Sequence, residues 1–247
     1  MGGTEKTKVT VVALLALLLA LEVIYLMPCI LFPFLECFNP AKKALKVKAK
    51  EPLLIIADLH LIRVEGDVLS KVRSFIVKNH VKTLVIAGDL FHRPPPFVLR
   101  EKGKLDKLVT VLDWLTPNYK LTVYFTPGNH DPHYGQHRLQ LDNLTIFIYR
   151  EIYIETKSLK ILVMHGDQVV RAGMLHHLIN RITGTLLVEK LAKKLMGLGE
   201  DTWLVMGHSH IAGIDFKGRV ANPGSLCNNP LTAILVENKT LRLINLS

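Results

Sequence analysis

Five short apolar runs in this 247-residue chain each lead into an aspartate, a histidine or both. The clearest is Leu121 to Phe125, which reads as a buried strand stopped by a Pro-Gly turn and followed by Asn129, His130 and Asp131. A turn at the end of a strand carries its side chains past the sheet edge, and an amide, an imidazole and a carboxylate placed there bind metal or move protons. A single Asn-His-Asp after Pro-Gly is also ordinary turn chemistry. The pattern recurs, however, in PLLIIADLH (52–60) with Asp58 and His60, TLVIAGDL (83–90) with Asp89, ILVMHGD (161–167) with His165, and WLVMGHSH (203–210) with His208 and His210. In an open α/β sheet the carboxyl ends of neighbouring strands face one crevice, so five separate segments can deliver ligands to one place. Nitrogen and oxygen donors without cysteine favour manganese, iron or zinc over calcium, and one shared carboxylate can bridge two such divalent ions.

In kind and order these motifs, DxH, GD, GNHD, the histidine of MHGD, and GHSH, resemble those of the calcineurin-like metallophosphoesterases, over roughly residues 51–247. The resemblance implies a metal-dependent phosphoric ester hydrolase on a four-layer α/β/β/α sandwich of two mixed sheets. It implies that Asp58, His60 and His210 hold one metal, that Asn129, His165 and His208 hold the other, and that Asp89 bridges them. It implies His130 as proton donor, with Asp131 holding its ring. No ligand position departs from the pattern, which argues against a non-catalytic binding module on the same fold. GDLFHRPPP adds His92 and Arg93 shortly after Asp89, where a guanidinium fork can clamp a phosphate. The plain alternative is a solvated arginine before a proline run. GDLFHR and NPGSL are also similar to stretches of the nuclease subunit of the double-strand-break repair complex. A nuclease or phosphodiesterase acting on nucleic acid or nucleotides is therefore the second reading, although that enzyme's DNA-capping domain has no counterpart here.

The elements that must position these residues alternate. Val68, Leu69, Val72, Phe75 and Ile76 recur at helical spacing after the first motif, and Leu105, Leu108, Val109, Leu112 and Leu115 after the second. Strand, helix and strand in turn predict a largely parallel sheet. After GHSH, short strands with tight turns at Lys217-Gly218 and Asn238 predict an antiparallel meander. Residues 168–202 form an insertion where a short connection would suffice. There Met174, Leu175, Leu178, Ile179 and Ile182, then Leu186, Leu187, Leu191 and Leu195, predict two basic amphipathic helices that either pack on the domain or form a cap meeting acyl chains or membrane.

Composition bounds the rest. With 49% hydrophobic residues the chain suffices for one sizeable domain plus an extra element. Cys29 and Cys37 lie in an apolar run far from Cys227, so there is neither a disulfide framework nor a cysteine zinc site. A net charge of +10 suggests an anionic partner: nucleic acid, a phospholipid surface or a phosphorylated substrate. After a tail at 1–8, residues 9–36 are almost continuously apolar and exceed the ~20 residues that cross a bilayer, which predicts a transmembrane helix. Lysines 42, 43, 46, 48 and 50 crowd the linker at 37–50, so the positive-inside rule places the 51–247 domain in the cytoplasm as part of a single-pass membrane protein. On that expectation the substrate is a phosphate or pyrophosphate ester, with lipid-linked compounds preferred.

Overall fold

The structure, a computed structural model, describes residues 13–14, 16–17, 20–21, 23–25, 27, 40–62, 66–92, 101–116 and 119–247. Two mixed sheets form its centre. One runs in the order β1 (Leu45–Lys48), β7 (Glu151–Glu155), β8 (Lys160–Met164), β9 (Thr202–Met206), β11 (Val220–Asn222), β10 (Gly213–Asp215). The other runs β13 (Thr240–Asn245), β12 (Thr232–Glu237), β2 (Leu53–Ile56), β3 (Thr83–Ile86), β4 (Leu121–Phe125), β6 (Leu144–Ile148), β5 (His137–Gln140).

The apolar runs are continuous because their strands are covered on both faces. Successive side chains of a strand point to opposite sides. In β2, Leu53 and Ile55 enter the core between the two sheets, whereas Leu54 and Ile56 enter the core under α1 (Asp67–Lys78) and α2 (Glu101–Leu115). β8 divides in the same way, with Ile161 and Val163 between the sheets and Leu162 and Met164 beneath α3 (Gly173–Thr183) and α4 (Leu187–Leu195). Both sheets are thus sealed, helices outside and sheet against sheet within. The expected stripes of α1 and α2 supply their side of this packing: Leu69, Val72, Ile76, Leu108, Leu112 and Leu115 are fully buried.

β2, β3, β4 and β6 are parallel neighbours, as are β8 and β9, so the loops that follow β2, β3, β4, β8 and β9 leave the sheets at their carboxyl ends. The expected meander is corrected. β10 and β11 form a hairpin whose second strand pairs in parallel with β9, but β12 crosses to the other sheet, lies antiparallel to β2, and turns back at Asn238 and Lys239 into β13. Both turn residues have positive φ, 51° and 66°, as a tight two-residue hairpin requires.

The helices of the insertion form where expected, but α3 is rotated about its axis. Leu175 and Ile179 face the core as foreseen, yet the fully buried positions are His176 and Asn180, while Met174, Leu178 and Ile182 are exposed at 85%, 49% and 76%. A buried carboxylate on α4, Glu189, draws the polar pair inward.

The amino-terminal expectation is also corrected. Among the described residues no helix is long and apolar enough to cross a membrane. The described residues between 13 and 25 are helical. Met27 has left the helix and packs against the α3–α4 cluster, and Arg171 stacks on Tyr25. The remainder of 9–36 lies outside the described residues. The single-pass anchor, its cytoplasmic orientation and the support it lent to a lipid-linked substrate are therefore withdrawn.

Candidate dimetal site

The five loops meet over the sheet edges. Asp58 and His60 follow β2, Asp89 follows β3, Asn129 to Asp131 follow β4, His165 follows β8, and His208 and His210 follow β9. Asp58, His60, Asp89, His208 and His210 all have positive φ, between 46° and 71°, a region costly for residues with a Cβ. Such strain persists only where surrounding contacts impose it, and here all five side chains converge on one cleft.

They converge as two overlapping groups. In the first, His210 Nε2 stands 3.2 Å from Asp58 Oδ1 and 3.3 Å from His60 Nε2, which is itself 3.8 Å from Asp89 Oδ2. In the second, His165 Nε2 lies 3.3 Å from Asp89 Oδ2, 3.3 Å from Asn129 Oδ1 and 3.0 Å from His208 Nδ1. Asp89 Oδ2 belongs to both.

These donor sets fit a divalent ion in each half. Ligands bound at about 2.1 Å stand roughly 3 Å from one another, which is the spacing observed. Asp58 Oδ1, although buried, has no hydrogen-bond partner among the described residues. His165 donates Nδ1–H to the carbonyl of Ala87, 2.9 Å away, and so presents Nε2 to the cleft. The electrostatics point the same way. Burial disfavours a charged His165, but Asp89 outweighs it and raises the ring to about 10. His210 is raised to about 10 against burial by the carboxylate of Asp58 beside it. Each half thus attracts positive charge. Burial, then the charges of His165 and His176, hold His208 well below its ordinary value, so its ring is neutral and able to coordinate.

The remaining expected residues are placed less uniformly. His130 donates its main-chain N–H to Asp89 Oδ1 at 2.8 Å, and its ring borders the cleft between those of His60 and His92. Asp131 makes no hydrogen bond to that ring among the described residues. Its two oxygens accept the N–H groups of Phe91 and Gly128, each at 2.9 Å, and tie the GDLF loop to the GNHD loop. Burial and the charge of Asp89 nevertheless push its carboxyl up to about 7. His92 is exposed beside His60, and Arg93 lies outside the described residues.

A buried polar network behind the site was not read from the sequence. Glu189 accepts from Asn180 Nδ2 at 2.8 Å and from Asn222 Nδ2 at 3.0 Å, with His176 Nε2 3.2 Å away. Asn222 also donates to the carbonyl of Gly207 and to Ser209 Oγ, and His177 Nδ1–H donates to the carbonyl of Ser209 at 2.8 Å. The insertion is thereby fastened to the GHSH loop that carries His208 and His210. Cys227 adds a thiol 4.0 Å from His210 Nδ1. The one local signal was a glutamate on the side of α4 that faces the sheet.

The family model for calcineurin-like phosphoesterases matches residues 51–240. The chain belongs to this family. It is accordingly a metal-dependent phosphoester hydrolase, and phosphoesters are its substrates. No curated protein sequence matches this phosphoesterase. Solved structures to which the chain is similar include the phosphoesterase Yfce from E. coli, at 18% identity over 78% of this chain and 92% of that one, with a TM-score of 0.42. Vacuolar Protein Sorting 29 from Cryptosporidium parvum matches at 16% identity over 78% and 94%, with a TM-score of 0.39. The nuclease MPE of Pseudomonas putida matches at 13% identity over 74% and 84%, also at 0.39.

Proposed function

We propose that the chain hydrolyses phosphate esters with two divalent ions, manganese, iron or zinc, held side by side and bridged by Asp89. The observation that carries this reading is the position of Asp89 Oδ2, within 3.8 Å of His60 Nε2 and 3.3 Å of His165 Nε2, at the one place common to both donor groups. Asp58, His60 and His210 would complete one coordination set, and Asn129, His165 and His208 the other. When bound, such ions activate water and offset the negative charge that develops at phosphorus.

The chain's own residues divide the remaining work. The main-chain N–H of His130 holds Asp89 by its other oxygen, so the bridging oxygen keeps its direction. The His130 ring borders the cleft and supplies the proton to the departing oxygen. Asp131, through the Phe91 and Gly128 amides, keeps the two loops that carry Asp89 and Asn129 in register.

Metal content and rates on two substrates test these roles. Asp89→Asn should lose both ions and turnover. His130→Ala should keep both ions yet slow alkyl phosphates roughly 10²- to 10⁴-fold, and aryl phosphates less because their leaving group needs no proton. Two retained ions in Asp89→Asn, or an unchanged alkyl rate in His130→Ala, would overturn the corresponding role.

A further inference from the structure

The metal cleft and a second groove lie side by side and share His177 as a lining residue. The cleft itself, about 310 Å³, is lined by the ligand histidines on one side and by Met174 and His177 of α3 on the other. A groove of about 480 Å³ begins at the same His177 and runs along α3 to Arg181, with Leu186, Ile211 and Ile214 among its walls and Asp215 at its edge. His177 is therefore the partition between the two spaces. Its Nδ1–H is committed to the carbonyl of Ser209, which fixes the ring and leaves Nε2 without a protein partner among the described residues.

Charge in the groove is unbalanced. Asp215 is neutralised by Lys190 at 2.9 Å and by the N–H of Gly218 at 2.7 Å. Arg181 is exposed and pairs with no carboxylate among the described residues. It lies seven residues along the helix from Met174, about 10 Å at 1.5 Å per residue. The groove thus offers an apolar wall beginning at the metal cleft and one free positive charge some 10 Å from it. A small phosphomonoester would leave that space unused.

We infer that the groove seats the organic group of a phosphodiester, one that carries an apolar chain and a terminal anion, while the phosphate lies in the metal cleft. The inference rests on the two-metal reading above. His177 then acts as a specificity residue at the junction, its free nitrogen facing the ester linkage, and Arg181 reads the far end of the group. Sequence alone hid this site, because its walls come from α3, the turn after it, the loop that follows GHSH, and β10.

The test uses the full-length, metal-loaded chain and three p-nitrophenyl phosphodiesters whose second group is methyl, hexyl or 6-carboxyhexyl. Wild-type kcat/KM should rise roughly tenfold or more from methyl to hexyl as methylenes leave water. It should rise about 2- to 5-fold again with the carboxylate, the range of an exposed ion pair. Arg181→Gln should erase only the second gain. Thr185→Trp, at an exposed position on the groove wall, should erase the first by filling the space. Both variants should hydrolyse the methyl ester at the wild-type rate. Equal wild-type rates on all three esters, or no turnover of any of them while p-nitrophenyl phosphate is still hydrolysed, would overturn the groove assignment and leave the two-metal function standing, whereas no turnover of that monoester either would overturn the function itself. Equal loss on all three esters in either variant would also overturn the assignment.

Discussion

A Cβ on Gly88 would lie 2.2 Å from His165 Nδ1, and one on Gly128 would lie 2.3 Å from Asp89 Oδ1. The glycines of the GD and GNHD motifs are therefore clearances for the candidate ligands His165 and Asp89, and at Gly88 a φ of +88° adds a second demand for glycine. Gly88→Ala would have to displace His165 and hold a strained backbone, at a cost of about 1–3 kcal/mol for the dihedral alone. The expected result is a lower melting temperature together with loss of one bound ion, that of the Asn129, His165 and His208 set. Retention of two ions per chain, measured by elemental analysis, would show that His165 tolerates the intrusion. The convergence of the candidate ligands was legible in the sequence because each sits one to four residues beyond an apolar run, a spacing that strand geometry converts directly into position. The partners of Asp131 were not legible, because the amide it binds at Phe91 comes from a loop 40 residues away and backbone amides leave no signature in residue type.

Among the elements, the insertion shows how one buried charge resets a helix. Hydropathy along α3 and α4 places Leu178, Ile182 and Leu191 inward, but Glu189 is fully buried and His176 and Asn180 turn toward it. Burial alone would raise the Glu189 pKa; the hydrogen bonds from His176, Asn222 and Asn180 more than offset this and lower it. A periodicity that scores only apolar residues cannot register a helix face recruited by a carboxylate. Glu189→Ala should cost on the order of 3 kcal/mol by leaving those donors short of an acceptor. Because Asn222 and His177 tie the same network to Gly207 and Ser209, the variant should also bind its metals more weakly. Leu178→Ser with Ile182→Ser, on the exposed face, should shift stability by less than about 0.5 kcal/mol. A Glu189→Ala protein with lowered melting temperature but unchanged metal affinity would reduce the network to a structural role. A large loss in the serine pair would restore the hydropathic register.

For the whole molecule, the alternation of apolar runs and helical stripes made a largely parallel sheet with helical cover legible and the family resemblance implied the second sheet, but neither assigned the strands to sheets. β12 carries the same apolar signal as any other strand, and its choice of β2 over β11 is settled by which sheet edge is open, a property of the assembled fold. Net charge was legible as a number but not as a consequence. The chain carries 31 basic and 21 acidic side chains, a surplus of +10, while its ligand cleft presents Asp58 and Asp89. On the two-metal reading, the net positive charge would draw an anionic phosphate ester toward the cleft. Screening acts on this approach more than on binding within the cleft, because the Debye length is about 10 Å at 0.1 M salt and about 3 Å at 1 M, whereas contacts within the cleft are shorter. Raising sodium chloride from about 0.02 M to 0.5 M should therefore increase KM for a phosphodiester several-fold with kcat nearly constant, the signature of weakened long-range attraction. Arg181→Gln should flatten that dependence for a substrate with a terminal carboxylate, since one of the attracting charges is then gone. Steady-state kinetics across the salt series would count against this account if kcat fell while KM stayed fixed, because salt would then be acting on the bound ions and not on the approach of substrate.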